Sequence, residues 1–403
     1  MDSLRAAVLQ VDWDDLEHAY GPASDAPARL LALVGDDPEA RSDAVEYLDA
    51  AMLHQGSVCS ATGPFVRIVA GLLADPRTDV SVADVLPWDP EPRSLRTALL
   101  TYLVLFAEAC RLEIPDEELI RDAYPADRDE ADLRRIRDAA RACDWRLDPN
   151  PATRTPPPPA LVEAANDEQY GRAMRARGLL ACRKFVPDVF GGVLPLIRDA
   201  DAAVRTPAMI AAVYCLRHAS LGGHEAALVE LLEDAAAGSS EPRERATVAR
   251  LLGILGRRPE SLLHDPHPGV RACAALAPVF AGDERATAEL LAALEDPETA
   301  DRWFEDHLPG QQGWLRFDLA RALADRVDDL ETILPVALRL TAMSSHATYE
   351  HEVGPWVRLA FPEPLTERSV LTSAQRAFLG ALLANWHPQL PLDQDLCRAL
   401  VRT

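Results

Sequence analysis

Hydrophobic residues recur along most of the chain with the period of an α-helix. Apolar side chains follow the i, i+3, i+4, i+7 spacing of one helical face in segments at 30–34, 44–52, 65–73, 95–109, 246–255, 286–294 and 319–327. Alternating β-branched runs bounded by turns, which indicate strands, are nearly absent. Ala and Leu, both strong helix formers, dominate the periodic segments. The pattern therefore predicts an all-α fold.

A shared motif opens several of these helical segments. A turn is followed by an Arg and then by a stripe of Ala and Leu, and aligned copies stand at Arg41, Arg205, Arg245 and Arg271, with a looser copy at Arg96. Four residues before the Arg, an acid at Asp37, Asp201 or Glu241 is placed to cap the helix start and to meet its positive dipole end. Proline three residues before it suits the first helical turn, as at Pro38, Pro242 and Pro268.

These helix pairs resemble the HEAT repeat, in particular the short bacterial type called PBS lyase HEAT-like. The resemblance is strongest over 192–297 and also covers 36–76. The opening segment 13–21, the His54-Gln55-Gly56 turn and the closing segment 371–376 are similar to a family of HEAT-repeat proteins common in actinobacteria. The resemblance implies a right-handed α-solenoid of antiparallel helix pairs with capping helices, and no single activity.

One segment interrupts the repeats. Residues 148–160 contain four consecutive prolines, Pro156 to Pro159, which cannot continue a helix and favour an extended polyproline II conformation. We predict N-terminal HEAT-like repeats at 1–147, a Pro-rich crossing segment at 148–160, and C-terminal repeats with a cap at 161–403. The segment either separates two half-solenoids or lies on the outside of one.

The composition narrows the class of protein. The chain has 403 residues and a formal net charge of −23, and 48% of its residues are hydrophobic. The excess of acidic residues argues against a protein whose main function is to bind DNA or an anionic membrane, because phosphate contacts need Lys and Arg. The sequence shows no signal-peptide pattern and no apolar run long enough to span a bilayer, so we expect a cytoplasmic protein without membrane contact.

The seven cysteines include no CxxC pair and sit mostly among Ala and Leu. Buried free thiols in a reducing compartment explain them best. Cys182 is the candidate for a reactive thiol, because Arg183 and Lys184 follow it and nearby cations lower a thiol pKa.

Two turns depart from the repeat pattern and carry the first candidate site residues. His54 and Gln55 would present polar groups to a concave face, unless they form an ordinary helix C-cap with Gly56 at positive φ. The second turn, at 303–317, combines aromatic walls with polar groups, as a ligand pocket or a binding hot spot does, or else is an aromatic plug in an insertion. Its candidates are Trp303, Glu305, Asp306, His307, Gln311, Gln312, Trp314 and Arg316.

Two further regions complete the candidates. Segment 344–356 contributes Tyr349, His351 and Trp356 as partner-binding residues; His346, Glu350 and His351 fit metal-ligand spacing only loosely, so we predict no metal site and no cofactor. A basic region holds Arg172, Arg175, Arg177, Arg183 and Lys184, with Arg134, Arg135, Arg137 and Arg141 upstream. Solvated helix faces with i,i+4 ion pairs account for it, while a small anionic ligand stays open.

Charge and predicted architecture favour a binding or adaptor protein that presents an acidic concave surface to a basic protein or peptide, for example as an inhibitor of a basic protein. The alternative, which the resemblance to lyase-type proteins implies, is a pocket enzyme of lyase, cyclase or isomerase type acting on a small organic, secondary-metabolite-like substrate. Glu305, Asp306 and His307 would then be its acid–base candidates. A HEAT-like alkylpurine DNA glycosylase ranks third, because such an enzyme needs a basic groove. Whether the protein is an enzyme stays open at this point.

Overall fold

A computed structural model describes residues 2–82, 92–126, 129–131, 134, 138, 166–304 and 307–402. The chain divides into two compact units, unit 1 (Met1–Leu231) and unit 2 (Leu232–Thr403), and the division falls inside the helix Glu225–Gly238. The Pro-rich segment 148–160 lies outside the described residues, so the crossing segment stays a prediction.

The regular secondary structure in the described part of unit 1 is helical, apart from two short antiparallel strand pairs. Its helices are α1 (Asp2–Leu9), α2 (Ala26–Leu33), α3 (Pro38–Tyr47), α4 (Thr62–Leu72), α5 (Leu95–Ala109), α6 (Asp116–Ala123), α7 (Glu168–Arg183), α8 (Val186–Val193) and α9 (Ala202–Cys215), followed by the first part of α10 (Glu225–Gly238). Strands β1 (Glu17–His18) and β2 (Gly21–Pro22) form one antiparallel pair, and β3 (Ser81–Val82) and β4 (Arg93–Ser94) form another.

The core of unit 1 is centred on aromatic rings between these helices. The ring of Phe65 on α4 is fully buried, and its centroid lies 6.3 Å from that of Trp13, 6.0 Å from Tyr47 and 6.3 Å from Tyr102. Helix α5 packs on α9, and α6 packs on α7. The apolar stripes that the sequence places on one helical face are therefore the surfaces that these helices bury against one another.

Unit 2 continues from the last part of α10 with further helices. They are α11 (Pro242–Ile254), α12 (Pro268–Ala275), α13 (Glu284–Leu294), α14 (Pro297–Asp301), α15 (Leu315–Ala324), α16 (Leu330–Met343), α17 (Tyr349–Glu352), α18 (Gly354–Ala360), α19 (Ser373–Ala384) and α20 (Gln394–Arg402). Helix α12 packs on α11 and on α13. Helix α13 also packs on α15, and α16 packs on α19. Trp356, Phe280 and Phe378 are among its largest fully buried side chains.

The arginine motif makes the same contact in four places. Each guanidinium donates a hydrogen bond to the carbonyl oxygen of the residue six positions earlier in the chain. The four bonds run from Arg41 to Gly35, from Arg205 to Asp199 (2.7 Å), from Arg245 to Ser239 (3.1 Å) and from Arg271 to Asp265 (3.0 Å). Since charged donors make stronger hydrogen bonds than neutral ones, this arginine staple fixes the turn before each motif helix.

The predicted capping is confirmed in part. Asp37 and Asp201 accept hydrogen bonds from the backbone N–H two residues on, and the helices begin at Pro38, Pro242 and Pro268. Glu241 makes no side-chain cap bond. In the fourth copy the cap is His267, whose Nδ1 accepts a 3.1 Å hydrogen bond from the N–H of Gly269.

The prediction of an all-α protein is confirmed. Within the described part of the chain, no helix combines the length and the apolar character needed to cross a bilayer. The described cysteines are buried except for half-buried Cys59. Burial raises the pKa of Cys182 well above its ordinary value, so the structure contradicts the reactive-thiol hypothesis for this residue.

Candidate functional site

The His54–Gln55 turn is tied to its own backbone. The Nδ1 atom of His54 lies 3.1 Å from the carbonyl oxygen of Ala50 and 3.1 Å from the hydroxyl of Tyr20. Gln55 and Gly56 follow with φ of 51° and 72°. The turn therefore has the positive-φ geometry of a C-cap, and the imidazole is held in place by the neighbouring hairpin.

A network that the sequence analysis did not single out lies beside this turn. Asp25 Oδ1 accepts hydrogen bonds from the Tyr47 hydroxyl (2.8 Å) and from His18 Nε2 (3.2 Å). His18 Nδ1 accepts from the backbone N–H of Tyr20 (3.0 Å), so the ring donates through Nε2 alone. Burial, and then the hydrogen bond to Asp25, raise the pKa of Tyr47. These groups hold the β1–β2 hairpin against α3, and each ring nitrogen of His18 is engaged.

The basic region separates into structural and exposed arginines. Arg177 binds both carboxylate oxygens of Glu130, at 3.0 and 2.6 Å, and Arg183 is buried. Arg183 donates to the carbonyls of Cys110 (3.0 Å), Ile114 (2.8 Å) and Arg111, and to the Asp116 carboxylate (2.5 Å). Arg183 is therefore the brace of the turn between α5 and α6.

The remaining basic candidates divide into described and undescribed residues. Arg172 and Arg175 are exposed on α7. Lys184 is the C-cap residue of α7, and Arg134 lies 3.6 Å from the Glu130 carboxylate. Arg135, Arg137 and Arg141 lie outside the described residues.

Arg172 and Arg175 line a cavity of about 230 Å³ in unit 1, which we call the arginine-rimmed cavity. The turn after Gly56, the turn between α5 and α6, and helix α7 supply its walls. Its lining combines guanidinium groups with an apolar floor: Gly56, Ser57, Val58, Ala109, Arg111, Ile114, Leu119, Asp122, Arg172, Arg175, Ala176 and Leu179. The cavity thus joins Gly56, the last residue of the His54–Gly56 turn, to two arginines of the basic region, whereas the candidates His54 and Gln55 do not line it.

The aromatic segment 303–317 of unit 2 is largely engaged in local packing. The ring centroids of Trp303 and Phe304 lie 6.5 and 5.7 Å from that of His267. Gln311 closes its own loop, because its side chain accepts from Leu308 N–H (3.1 Å) and donates to the Gly313 carbonyl (2.7 Å). His307, Gln312 and Trp314 are exposed, and Glu305 and Asp306 lie outside the described residues.

Arg316 joins this segment to the segment 344–356. Its guanidinium pairs with Glu352 Oε1 (2.7 Å) and with Asp301 Oδ2, and it lies 5.2 Å from the Trp314 ring centroid and 4.9 Å from that of Phe317. Only 5% of the Asp301 side chain and none of the Glu352 side chain is exposed. Burial raises the pKa of Asp301 although Arg316 opposes the shift. Asp301, Arg316 and Glu352 form a buried charge triad that ties α14, α15 and α17 together.

The other candidates of segment 344–356 lie around this triad. The His351 ring stacks on Phe317 with centroids 4.7 Å apart. Tyr349 stacks on His387 at 5.2 Å and donates from its hydroxyl to the Gln389 carbonyl (2.9 Å). Trp356 is fully buried. Arg316, His351 and Trp314 therefore share one neighbourhood, in which Trp314 and His351 are the exposed members.

A second cavity, of about 330 Å³, lies in unit 2 and was missed by the sequence reasoning. Asp318, whose side chain is 2% exposed, pairs there with Arg250 (2.8 Å) and with Arg321 (2.7 Å). Arg326 also lines it and donates to the carbonyls of Ala275 (2.7 Å) and Ala277 (3.2 Å) at the end of α12. Only the i,i+3 spacing of Asp318 and Arg321 is visible in the sequence, because Arg250 lies 68 residues away from Asp318.

Carboxylates concentrate where α13 and α16 begin. Asp283 and Asp325 both act electrostatically on Arg326, so the start of α13 lies beside the turn that precedes α16. We call the six acidic residues here the acidic edge of unit 2: Asp283, Glu284, Asp325, Asp328, Asp329 and Glu331. All except the half-buried Asp283 are exposed. Asp283 and Asp329 cap their helices, which leaves the other four carboxylates on the surface.

No family model, curated protein or solved structure matches this chain.

Proposed function

We propose that the protein is a helical-repeat binding protein, an α-solenoid of HEAT-like helix pairs whose acidic surface recognises a basic protein or peptide. The observation that carries this proposal is the arginine staple, which recurs with the same six-residue span in four motif copies. A contact repeated at one position of a motif is what a repeat protein requires, because each unit must present the same surface to its neighbour.

The charge distribution supports a cationic partner. The chain carries a net charge of −23, and the acidic edge adds a local concentration of exposed carboxylates in unit 2. Complementary charge steers the encounter of two proteins and disfavours partners of the wrong sign. A basic protein or an Arg- and Lys-rich peptide is the partner that this surface favours.

Two clusters of histidine and carboxylate groups in the described residues are engaged with protein partners, which favours binding over catalysis. Glu352 and Asp301 are tied to Arg316, and His18 is bonded through both ring nitrogens. A general base needs a free acceptor within reach of a substrate proton. These groups are already engaged with protein partners. Of the acid–base candidates from the sequence, His307 is exposed, and Glu305 and Asp306 lie outside the described residues.

Binding to a defined cationic peptide tests the proposal. In an anisotropy titration with a labelled peptide of alternating Arg and Gly, we expect Asp328→Asn/Glu331→Gln to raise Kd by about 2- to 30-fold, since exposed charge pairs contribute about 0.2–1 kcal/mol each. Affinity should also fall steeply with salt, because the Debye length is only about 8 Å at physiological ionic strength.

A matched control separates local recognition from total charge. Glu363→Gln/Glu367→Gln removes the same number of exposed carboxylates from the turn before α19, and it should leave Kd nearly unchanged. In a host lysate, the wild-type protein should retain a basic protein that Asp328→Asn/Glu331→Gln releases. Equal Kd values for the two variants, or retention of only acidic proteins, would overturn the proposal.

A further inference from the structure

The arginine-rimmed cavity of unit 1 has a polar rim and an apolar floor on one helical face. Arg172, Arg175, Ala176 and Leu179 stand at i, i+3, i+4 and i+7 of α7, so they project from the same side of the helix. Leu119 and Ile114 belong to the same hydrophobic cluster as Ala176 and Leu179 and extend this apolar surface, and Leu119 is buried in it. The two arginines thus stand over hydrophobic side chains.

The rim arginines are available to a ligand. Neither Arg172 nor Arg175 pairs with a carboxylate within the described part of the chain, whereas Arg177 and Arg183 on the same helix do. Arg111, the third guanidinium of the lining, is paired with Glu113 at 3.1 Å. Asp122 is the acidic side chain of the lining. The three arginines carry three positive charges, and Asp122 and Glu113 carry two negative ones. The cavity and its immediate surroundings therefore have a net charge of +1 in an otherwise acidic protein.

Strained backbone borders the same cavity from two sides. Within the described residues, Gln55 (φ 51°) and Arg111 (φ 47°) are the non-glycine residues at positive φ. Gln55 precedes the lining residue Gly56, and Arg111 itself belongs to the lining. Such conformations are costly for residues with a side chain and cluster at ligand clamps. Arg183 holds the second strained turn through the carbonyls of Cys110, Arg111 and Ile114.

A close approach of backbones keeps α7 over the first turn. A Cβ added at Gly178 would lie 3.0 Å from the carbonyl oxygen of Val58. The thiol of Cys182 also lies 3.6 Å from the Cys59 carbonyl. The walls of the cavity are therefore fixed by packing before any ligand arrives, as in preformed small-molecule sites.

We propose that this cavity binds a small monocarboxylate with a short, flexible apolar body. The carboxylate would accept hydrogen bonds from Arg172 and Arg175, which suits the planar guanidinium, and the apolar body would lie on Ile114, Leu119 and Leu179. The volume of about 230 Å³ is below the range of about 300–1,000 Å³ that drug-sized ligands occupy, so the ligand is smaller than such molecules.

Calorimetric titration of the full chain with hexanoate tests the proposal. We expect saturable binding with a Kd of about 1 mM or tighter. The affinity should be at least tenfold weaker in Arg172→Gln/Arg175→Gln, since charge-assisted hydrogen bonds are the strong ones (about tenfold per 1.4 kcal/mol). Acetate, which has the head group alone, and hexylamine, which has the opposite charge, should not bind measurably.

A charge-matched variant controls for electrostatics at a distance. Arg5→Gln/Arg198→Gln removes two exposed arginines of unit 1 that do not line the cavity, and it should bind hexanoate like the wild type. Because all four arginines are exposed, circular dichroism should report the same fold for both variants. Absence of saturable hexanoate binding, equal loss in both double variants, or equal affinity for acetate would overturn the proposal.

Discussion

Removing the arginine of the buried charge triad should destabilise unit 2 strongly. In Arg316→Met, the carboxylates of Asp301 and Glu352 lose their common partner while their side chains stay 5% and 0% exposed. Breaking a buried pair from one side costs about 3–5 kcal/mol, because a charge is left buried without compensation. At about 2–4 °C per kcal/mol for a unit of this size, Tm should fall by roughly 6–20 °C.

The sign of the pH dependence distinguishes this cause from lost packing. An unpaired buried carboxylate has its pKa raised above the value in the unfolded chain, so the folded variant binds protons that the unfolded variant does not. Stability then falls as pH rises through the raised pKa. The deficit of Arg316→Met relative to wild type should therefore be larger at pH 8 than at pH 5, and Asp301→Asn/Glu352→Gln in the Arg316→Met background should flatten this dependence.

Urea unfolding followed by tryptophan fluorescence at both pH values provides the measurement. Arg321→Met is the matched control, because the Arg321 side chain is 55% exposed and its partner Asp318 keeps Arg250; about 0–1 kcal/mol is expected for such a pair. If Arg316→Met costs no more than Arg321→Met, or if its deficit is equal at pH 5 and pH 8, then the triad is not a buried charge centre.

Two further substitutions test helix packing and capping. Gly192→Ala should lower the free energy of unfolding by about 1–3 kcal/mol, because the added Cβ would lie 2.9 Å from the Ala70 carbonyl oxygen, whereas Gly191→Ala meets nothing within 4 Å and should be neutral or stabilising in denaturant titrations. Burial keeps the pKa of His267 below its ordinary value of 6.5. As pH falls below 6.5, the imidazole is therefore protonated more readily in the unfolded chain than in the folded one, and the free energy of unfolding should decline. His267→Asn, which retains a capping acceptor, should remove that decline in thermal melts between pH 5 and pH 8; an unchanged pH profile would contradict the assignment.

Helices were predictable where a strong periodic stripe coincides with a clear start. The stripe at 95–109 matches α5, which begins after the Ser94 cap, whose hydroxyl accepts a 3.1 Å hydrogen bond from Thr97 N–H. The stripe at 44–52 does not stay one α-helix, because α3 ends at Tyr47 and Leu48–Met52 forms a π-helical turn. Apolar periodicity reports which face is buried, but it does not distinguish i→i−4 from i→i−5 hydrogen bonding.

The candidate sites were only partly predictable, because their members meet through tertiary packing. Arg316 was singled out for its aromatic neighbours, yet its charge partners lie 15 and 36 residues away. No local spacing encodes contacts of that range. The arginine-rimmed cavity likewise needs a turn near Gly56, a second turn near Arg111 and a face of α7. Sequence patterns named two of these three components, but they did not indicate that the components share one cavity.

The arginine staple also changes how the net charge should be interpreted. In unit 2, Arg245 binds the Asp265 carboxylate at 2.6 Å, the Asp265 carbonyl accepts from Arg271, and Arg271 reaches Glu289 at 2.9 Å. Asp265 and Glu289 are thereby neutralised by arginines of the Arg245 and Arg271 copies, and lysine, with its single point charge, would not supply these simultaneous donors. Part of the net charge of −23 is therefore already paired inside unit 2, which is why the exposed acidic edge rather than the total charge is the feature to mutate in testing the proposed function.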